Sequence, residues 1–508
     1  MEAKIHESSI AGMEKRYEDL LEDAAAAAER LAALVQEDKM LTVVSHNDAD
    51  GLSSAGIMAS ALYREGARFV VRAVHRIEHL LDDIDQGFVE GDCVVLLDTG
   101  CGYIGELSQK IRGRDVIILD HHRSNEAEAP ESWTLVNPHL RGIDGVTEIS
   151  GSGLAYLAAK ALNEENVSSS PIAVVGALGD TQDKDGKRCL RGLNDRIVRE
   201  AEEKGFLTVT EDILLFGRTF KPLHVALATT TTPYIPGLSG REENCVSFLA
   251  SLGLKVKDHN RWKVLADLTP EEKETLYNGL VSYLASRGLS PSVATELMGS
   301  VYELTKEESW TSLRDAREFS SLLNACGKSD AAWQGISVAM GVRGEVLELA
   351  QKTLEDYRVQ LAKHMDYVLK PGVVEEAYNI AILRGGEAMD EKKISSVATI
   401  MSSSDLIPAD KPLVAVAYAG EIAKISARSR RELVARGLDL GQILAETAGK
   451  FGGRGGGHNV AAGAEIPSHK LTLFLMELDR RVGETLKEHG TIGAKEQPDD
   501  EGSIQARP

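Results

Sequence analysis

The residues best suited to chemistry are aspartates and histidines that follow short apolar runs within the first 180 positions. His46, Asp48 and Asp50 follow the first such run at alternate positions. In extended chain, alternate side chains point the same way, so these three can converge on one side before Gly51 turns the chain into a helix. The remaining members of the set follow later apolar runs and are Asp98, Asp120, His121, His122 and Asp180.

This set predicts bound metal. An open parallel sheet binds ligands at the carboxyl ends of its strands, and four apolar runs interpreted as strands each deliver an aspartate there. A single aspartate in that position is commonly a helix N-cap. Four in one crevice repel one another unless cations neutralise them. Carboxylates and imidazoles without thiolates favour Mn²⁺, with Mg²⁺, Zn²⁺ or Co²⁺ as alternatives. About six ligands suffice for two ions roughly 3.5–4 Å apart, the arrangement that suits phosphodiester hydrolysis.

The elements that must position these residues form an α/β pattern. Apolar, β-branched runs at 41–45, 69–73, 93–97, 116–119 and 172–177 alternate with helix-forming stretches. Such alternation is typical of a parallel sheet with crossover helices. The sequence therefore predicts a parallel-sheet catalytic domain as its main α/β unit.

The rest of the chain predicts a helical insertion and a second, smaller α/β domain. Beyond Gly205 helix-forming segments dominate to about residue 330, and a long helix ends at Lys370-Pro371-Gly372. The strand pattern then returns at 379–383, 413–418 and 421–426. The predicted divisions are an N-terminal helix (1–38), the catalytic domain (39–204), a mostly helical insertion (205–335), a connector helix (336–372), the smaller domain (373–488) and a tail (489–508). The N-terminal helix is interpreted as a cover helix, with a partner-binding arm as the alternative.

Composition limits the possible partners and location. The net charge of −21 would repel a polyanion if it were spread evenly, so a nucleic-acid site must be local. The five cysteines include no CxxC pair, which argues against a zinc ribbon and a disulfide framework. Apolar runs are shorter than the roughly 18 residues of a membrane span. We therefore expect a cytoplasmic protein without a membrane partner.

Four motifs resemble those of the DHH phosphoesterase superfamily in order and spacing. They are His46–Gly51, Leu97–Gly100, Asp120–His122 and Gly179–Thr181. The resemblance implies one ion held by His46, Asp48 and Asp98, and another held by Asp50, Asp98, His121 and Asp180, with Asp98 as the bridge. It also implies that His122 faces the scissile phosphate and that Asp120 orients a neighbouring histidine.

A second resemblance lies in the smaller domain. The segment Gly452–Asn459 is similar to the GGGH loop of the DHH-associated domain, and Ser426–Ser429 to its partner strand. Glycines let backbone N–H groups approach phosphate, and arginine can grip an oxyanion with two nitrogens. Positions 424–454 carry seven basic and three acidic residues, a local charge of +4. The predicted substrate-binding residues are Ser426, Arg428, Arg454, Gly455, Gly456, Gly457, His458 and Asn459.

Within this superfamily, the length and the insertion resemble RecJ-type nucleases, most closely the archaeal RecJ-like group. The segments Thr232–Gly240 and Gly179–Asp183 carry the narrower resemblance. It implies a metal-dependent exonuclease that degrades single-stranded DNA or RNA to nucleoside monophosphates in replication or repair. It also implies GINS, or another replication or repair protein, as a partner. The alternatives are an oligoribonuclease or cyclic-dinucleotide phosphodiesterase, and a replication scaffold with a vestigial nuclease site.

Overall fold

The chain folds into two units. The computed structural model describes residues 2–87, 89–123, 129–184, 188–289, 291–386, 388–404 and 406–490. The first unit comprises Met1–Thr230, Arg241–Tyr283 and Ala294–Arg358, and the second comprises Thr231–Gly240, Leu284–Val293 and Val359–Pro508. Two stretches of the predicted insertion therefore belong to the second unit. From residue 491 on, the predicted tail lies outside the described residues.

A five-stranded parallel sheet forms the centre of the first unit. Its strands are β1 (Met40–His46), β2 (Arg68–Val74), β3 (Cys93–Leu97), β4 (Asp115–Leu119) and β5 (Trp133–Val136), in the order β2-β1-β3-β4-β5. β3 is buried along its whole length, because helices cover both faces of the sheet. Four of the predicted apolar runs are these strands. The four-residue β5 was not predicted, because it is too short to show a pattern.

The described residues up to position 204 contain seven α-helices. They are α1 (Glu2–Gln36), α2 (Ala49–Arg64), α3 (Ile77–Asp85), α4 (Ile104–Lys110), α5 (Gly151–Leu162), α6 (Ser170–Gly179) and α7 (Gly192–Glu203). The prediction of a strand at 172–177 is wrong, because this segment lies in α6. A helix that is apolar on all sides is buried, and periodicity cannot separate it from a buried strand. Asp180 therefore follows a helix, not a strand.

The remainder of the insertion and the connector contain further helices and two antiparallel strand pairs. The elements are β6 (Leu207–Ile213), α8 (Leu223–Thr229), α9 (Glu242–Ser251), β7 (Lys257–Asp258), β8 (Arg261–Trp262), α10 (Pro270–Ser286), α11 (Pro291–Thr295), β9 (Met298–Leu304), α12 (Ala316–Lys328), α13 (Ala332–Ala339) and α14 (Glu345–Val368). β6 pairs with β9, and β7 with β8. The predicted mostly helical insertion thus also contains strands, which its helix-forming pattern did not indicate. Because β6 pairs with β9, which is distant in the sequence, no local hairpin pattern indicates it.

The second unit contains a six-stranded mixed sheet. Its elements are β10 (Val374–Glu376), β11 (Ala381–Gly386), α15 (Ile394–Ser403), β12 (Leu413–Ala419), β13 (Ile422–Arg428), α16 (Arg431–Ala435), α17 (Leu440–Lys450), β14 (Arg454–Gly457), β15 (Ala461–Pro467) and α18 (Leu471–Gly490). The strand order is β10-β11-β12-β13-β15-β14, and among the described strands of this sheet only β11 and β12 pair in parallel. The fold is thus a parallel-sheet α/β domain joined to a smaller α/β domain, as predicted. No helix in the described part of the chain has the length and apolar character needed to cross a bilayer.

Candidate active site

Neighbouring strands of the first sheet bring predicted ligands to one edge. β3 lies between β1 and β4 and pairs in parallel with both. β1 ends at His46, while Asp98 and Asp120 come directly after β3 and β4. Because parallel strands end at the same edge of a sheet, the three side chains lie close together. Asp48 is also the N-cap of α2, since its Oδ1 accepts a hydrogen bond from the N–H of Gly51 at 3.0 Å.

Asp98 lies at the centre of the cluster. Its Oδ1 is 3.1 Å from Nε2 of His121 and 3.8 Å from Nδ1 of His122. Its Oδ2 is 3.8 Å from Nδ1 of His46. Three groups of side chains have ligand atoms within 4.8 Å of one another, and Asp98 belongs to two of them: His46 with Asp48 and Asp98, Asp98 with His121 and His122, and Asp50 with His121 and Asp180. The structure thus brings all six predicted metal ligands together.

The N-terminus of α5 holds Asp50. The N–H of Gly151 donates to Oδ2 of Asp50 at 2.6 Å, and the N–H of Ser152 donates to Oδ1 at 3.0 Å. The positive end of the helix dipole favours a carboxylate at this place. Residue 176 on α6 is glycine because a Cβ there would lie 2.5 Å from Oδ1 of Asp50. The packing of these two helices therefore directs the Asp50 carboxylate towards His121, whose Nε2 is 3.8 Å away.

The two ring nitrogens of His121 have different surroundings. Nδ1 lies 2.5 Å from the carbonyl oxygen of Gly145, so we assign the proton to Nδ1. Nε2 then directs its lone pair at carboxylate oxygens of Asp98 and Asp180, each 3.1 Å away. Lone pairs that face each other at this distance repel unless a proton or a metal ion lies between them. A histidine that donates one N–H to a carbonyl and presents its other nitrogen is the usual form of a metal ligand.

The surroundings of the buried Asp98 carboxylate show whether the residues of the cluster fit a metal ion. Both carboxylate oxygens are buried, and neither accepts a hydrogen bond of acceptable geometry from the described residues. Burial, together with Asp50 and Asp48, raises the pKa of Asp98 well above its usual range. Burial and the charge of Asp180 raise the pKa of Asp50 to about 6. Crowded carboxylates of this kind need a counter-charge, and the donor set of oxygens and imidazoles fits divalent cations.

Asp120 contacts a histidine and belongs to none of the three ligand groups among the described residues. One of its oxygens accepts a hydrogen bond from the N–H of Cys101 at 2.8 Å, and the other lies 2.8 Å from Nδ1 of His122. Burial raises the pKa of Asp120, but His122, His121 and the Cys101 N–H together outweigh it and hold the pKa below its usual range. Asp120 is therefore placed to orient His122.

Sequence reasoning missed several residues that hold this cluster. Gln182 Nε2 donates to the carbonyl oxygen of Gly145 at 2.9 Å, the same atom that His121 contacts. Asn324 Oδ1, at the end of α12, accepts a hydrogen bond from the N–H of Ala49 at 2.9 Å. Asn47 Nδ2 donates to the carbonyl oxygen of Gly327 at 3.0 Å. The sequence offers no signal for the contacts to α12, because about 275 positions separate the partners.

In the second unit, the predicted substrate-binding residues lie on adjacent strands. Ser426 and Arg428 share one face of β13, since alternate strand residues point the same way. Arg428 pairs across the sheet with Ala461, which follows the turn that contains His458 and Asn459. Its guanidinium donates to the hydroxyls of Thr399 at 3.0 Å and Ser426 at 3.1 Å. Burial among these neutral groups lowers the pKa of Arg428 to about 10.

The glycine-rich segment is a strand at its centre, with turns on both sides. Residues Arg454–Gly457 form β14, the edge strand beside β15. Close packing explains its composition, because a Cβ on Gly455 would lie 2.8 Å from the carbonyl oxygen of Leu444. Gly457 has a φ of 134°, which only glycine adopts readily. An edge strand still presents a row of backbone groups to a ligand.

Comparisons with known proteins agree with this architecture. Three family models match in chain order: the DHH family N-terminal domain over residues 40–179, the DHH-CID domain over 215–298 and the DHHA1 domain over 377–484. An uncharacterized protein of Methanocaldococcus jannaschii is 31% identical over 454 residues, which cover 88% of this chain and 94% of that protein. The single-stranded-DNA-specific exonuclease RecJ of Bacillus subtilis is 26% identical over 162 residues, 30% of this chain and 20% of RecJ.

Solved structures share the fold at low sequence identity. RecJ of Thermus thermophilus in complex with Mn²⁺ has a TM-score of 0.53 at 19% identity, covering 91% of this chain and 55% of that chain. Cdc45 of Entamoeba histolytica has a TM-score of 0.61 at 15% identity, covering 90% of this chain and 99% of that chain. With the three family models in order and a relative that matches over most of both chains, this chain belongs to the DHH superfamily and has a RecJ-like fold.

Proposed function

We propose that this protein is a metal-dependent exonuclease that hydrolyses phosphodiester bonds of single-stranded DNA or RNA to nucleoside monophosphates. One observation carries the proposal. The buried carboxylate of Asp98 lies between imidazoles and carboxylates, and neither of its oxygens accepts a hydrogen bond from the described residues. Such a carboxylate is costly without a cation, and a site of this composition suits phosphoryl transfer.

Two divalent cations, with Mn²⁺ as the first choice over Mg²⁺ or Co²⁺, would bind the two ends of the cluster. The proposed ligands of one ion are His46, Asp48 and Asp98, and those of the other are Asp50, Asp98, His121 and Asp180. Bound cations would supply Lewis acidity to a water molecule and to the phosphoryl oxygens. The residues of this chain hold that site in shape: the N-terminus of α5 fixes Asp50, and the Gly145 carbonyl fixes His121.

His122 is proposed as the hydrogen-bond donor to the reacting phosphate. Asp120 lies 2.8 Å from Nδ1 of His122, so Nε2, on the opposite side of the ring, points away from Asp120. Asp120 holds the ring in this orientation, so that an N–H at Nε2 can donate to a phosphoryl oxygen whose negative charge grows in the transition state. In this scheme, Asp120 orients the donor and does not bind metal.

The second unit is proposed to bind the phosphates of the substrate. Arg428 is a half-buried cation whose hydrogen bonds in this structure go to neutral oxygens, of Thr399, Ser426, Ala427 and Ser395. A phosphate would supply the missing negative charge and could accept two hydrogen bonds from the guanidinium. The backbone and side chains of the segment Arg454–Asn459 would complete this subsite.

The test compares the parent protein with Asp98→Asn and with Asp258→Asn, which changes an exposed aspartate at the end of β7. End-labelled DNA and RNA strands are incubated with Mn²⁺, and product length is followed over time. We expect mononucleotide release by the parent and by Asp258→Asn, and none by Asp98→Asn. Parental activity in Asp98→Asn would overturn the mechanism. Activity on a dinucleotide but not on a long strand would favour the oligonucleotide-specific alternative.

A second candidate function is a replication scaffold. The fold similarity to Cdc45 favours it, because Cdc45 shares the fold over nearly its whole length. The retained set of six candidate metal ligands favours catalysis instead. A purified protein that binds neither Mn²⁺ nor single strands, yet binds a replication protein tightly, would support the scaffold. Association with GINS, or with another replication or repair protein, stays a prediction.

A further inference from the structure

Asn137 contacts the segments that follow β3 and β4 at this edge of the sheet. Both segments carry proposed catalytic groups. Asn137 follows β5 directly and is fully buried. It is the N-cap of the 3₁₀ turn Pro138–Arg141, because its Oδ1 accepts a hydrogen bond from the N–H of His139 at 2.9 Å. This capping role uses only the oxygen of the amide.

The nitrogen of the same amide faces the active-site segments. Nδ2 donates to the carbonyl oxygen of Asp120 at 2.7 Å and to the carbonyl oxygen of His122 at 2.8 Å. It also lies 3.1 Å from Sγ of Cys101, three residues after Asp98. The two carbonyls belong to the residues on either side of His121. The amide therefore clamps the backbone that carries both histidines.

We propose that Asn137 is a positioning residue of the active site, which sets the direction of His121 as a ligand and of His122 as a donor. This inference rests on the proposed function. Residues 120–122 lie beyond the end of β4, and pairing with β5 extends to them through the Asp120 N–H, which donates to the carbonyl oxygen of Val136 at 3.2 Å. A buried carbonyl without a donor is costly, and Asn137 supplies donors to both. A displacement of about 1 Å at a catalytic group can lower the rate about 100-fold, so this clamp matters to the reaction.

Two variants distinguish the hydrogen bonds that Asn137 donates to the two carbonyls from the one that it accepts as N-cap. Asn137→Asp keeps the size and the oxygen that caps the 3₁₀ turn, but it loses both N–H donors. Asn137→Ser keeps a good capping hydroxyl that is too short to reach both carbonyls. Asn166→Ser is the matched control, because Asn166 is also fully buried and its Nδ2 donates to the carbonyl oxygen of Ala159 at 2.7 Å. Ala159 lies eight residues along α5 from Gly151, about 12 Å from the active-site end of that helix.

The readouts are the Mn²⁺ dissociation constant from calorimetry, kcat and KM on a single strand, and the melting temperature. We expect both Asn137 variants to lose about 10- to 100-fold in Mn²⁺ affinity or in kcat, as partners of metal-site residues usually do. KM should change little, because the phosphate-binding residues are untouched. Asn166→Ser should lower the melting temperature and leave both constants at parental values.

Each outcome of these measurements supports or overturns the inference about Asn137. A folded Asn137 variant with parental Mn²⁺ affinity and kcat would overturn the inference. Failure of both variants to fold, while Asn166→Ser folds, would also overturn it, because Asn137 would then serve the stability of the whole domain. Asp98→Asn is measured alongside. If Asp98→Asn is inactive and the Asn137 variants match the parent, only this inference fails; if Asp98→Asn is fully active, the proposed function itself fails.

Discussion

His121 Nδ1 lies 2.5 Å from the backbone carbonyl oxygen of Gly145. The backbones of Gly145 and His121 also lie close together. A Cβ on residue 145 would lie 2.1 Å from the carbonyl oxygen of His121. Side chains of any size are therefore excluded at residue 145. The orientation of a proposed metal ligand thus depends on a glycine 24 residues away.

Gly145→Ala should weaken metal binding without unfolding the protein. The added methyl group must push the His121 backbone away, which turns Nε2 from Asp98 and Asp180. We expect about a 10- to 100-fold loss of Mn²⁺ affinity in calorimetric titration. Gly12→Ala is the control, because nothing lies within 4 Å of a Cβ at that exposed helix position. Equal affinity in the two variants would show that the Gly145 contact does not orient the ligand.

Metal should stabilise the parent protein and not Asp98→Asn. A ligand at about 100 times its Kd adds about 2.7 kcal/mol to the free energy of unfolding. We therefore expect chelation with EDTA to lower the melting temperature of the parent and added Mn²⁺ to restore it. Asn fits the left-handed backbone at residue 98, where φ is 57°, so the variant should fold. An equal Mn²⁺-dependent shift in Asp98→Asn would remove Asp98 from the metal site.

Arg428→Met should weaken the binding of single strands and reduce its dependence on salt. Each phosphate contact to a single strand contributes about 0.7 to the slope of log K against log salt, so losing one contact should lower the slope by about that amount. Fluorescence anisotropy of an end-labelled strand, recorded without metal, measures both quantities. Arg384→Met is the control, since Arg384 is exposed and pairs with Glu375. An unchanged slope in Arg428→Met would place the phosphate elsewhere.

Glu318 should make the first unit less stable as the pH rises. Burial and the charge of Asp315 raise its pKa from 4.5 to about 8, against the opposing effects of the Gly217 N–H, Arg358 and Lys221. A carboxyl with a raised folded-state pKa holds a proton that the unfolded chain releases, so the free energy of unfolding falls between pH 4.5 and 8. Above that range Lys221, whose pKa burial lowers to about 8, acts in the opposite direction.

The test of this pH dependence is Glu318→Gln, which keeps an oxygen for the Gly217 N–H. We expect its melting temperature to exceed that of the parent by a margin that grows from pH 5 to pH 7.5, inside the window set by the raised pKa. Glu345→Gln, at the first residue of α14, is the control. A constant margin across this range would show that Glu318 is ionised in the folded protein.

Much of the candidate site could be predicted from local sequence. Strands β1, β3 and β4 are short apolar runs, and the residue types that follow them were enough to predict ligands at one edge of the sheet. The error at α6 did not remove Asp180 from the cluster. A buried helix and a buried strand have the same composition, and either one can deliver the residue that follows it.

Local sequence alone determined which groups are available for chemistry: carboxylates and imidazoles without thiolates, at the ends of apolar elements, with a locally basic segment in an acidic chain. Only the tertiary structure decided the orientation of those groups. Gly145, Gln182 and Asn324 act through hydrogen bonds or close contacts with segments 24 to 275 positions away, and Asn137 acts through hydrogen bonds to residues 15 and 17 positions away. Such contacts leave no periodic pattern in the sequence, because their geometry exists only once helices α5, α6 and α12 have packed around the strand ends.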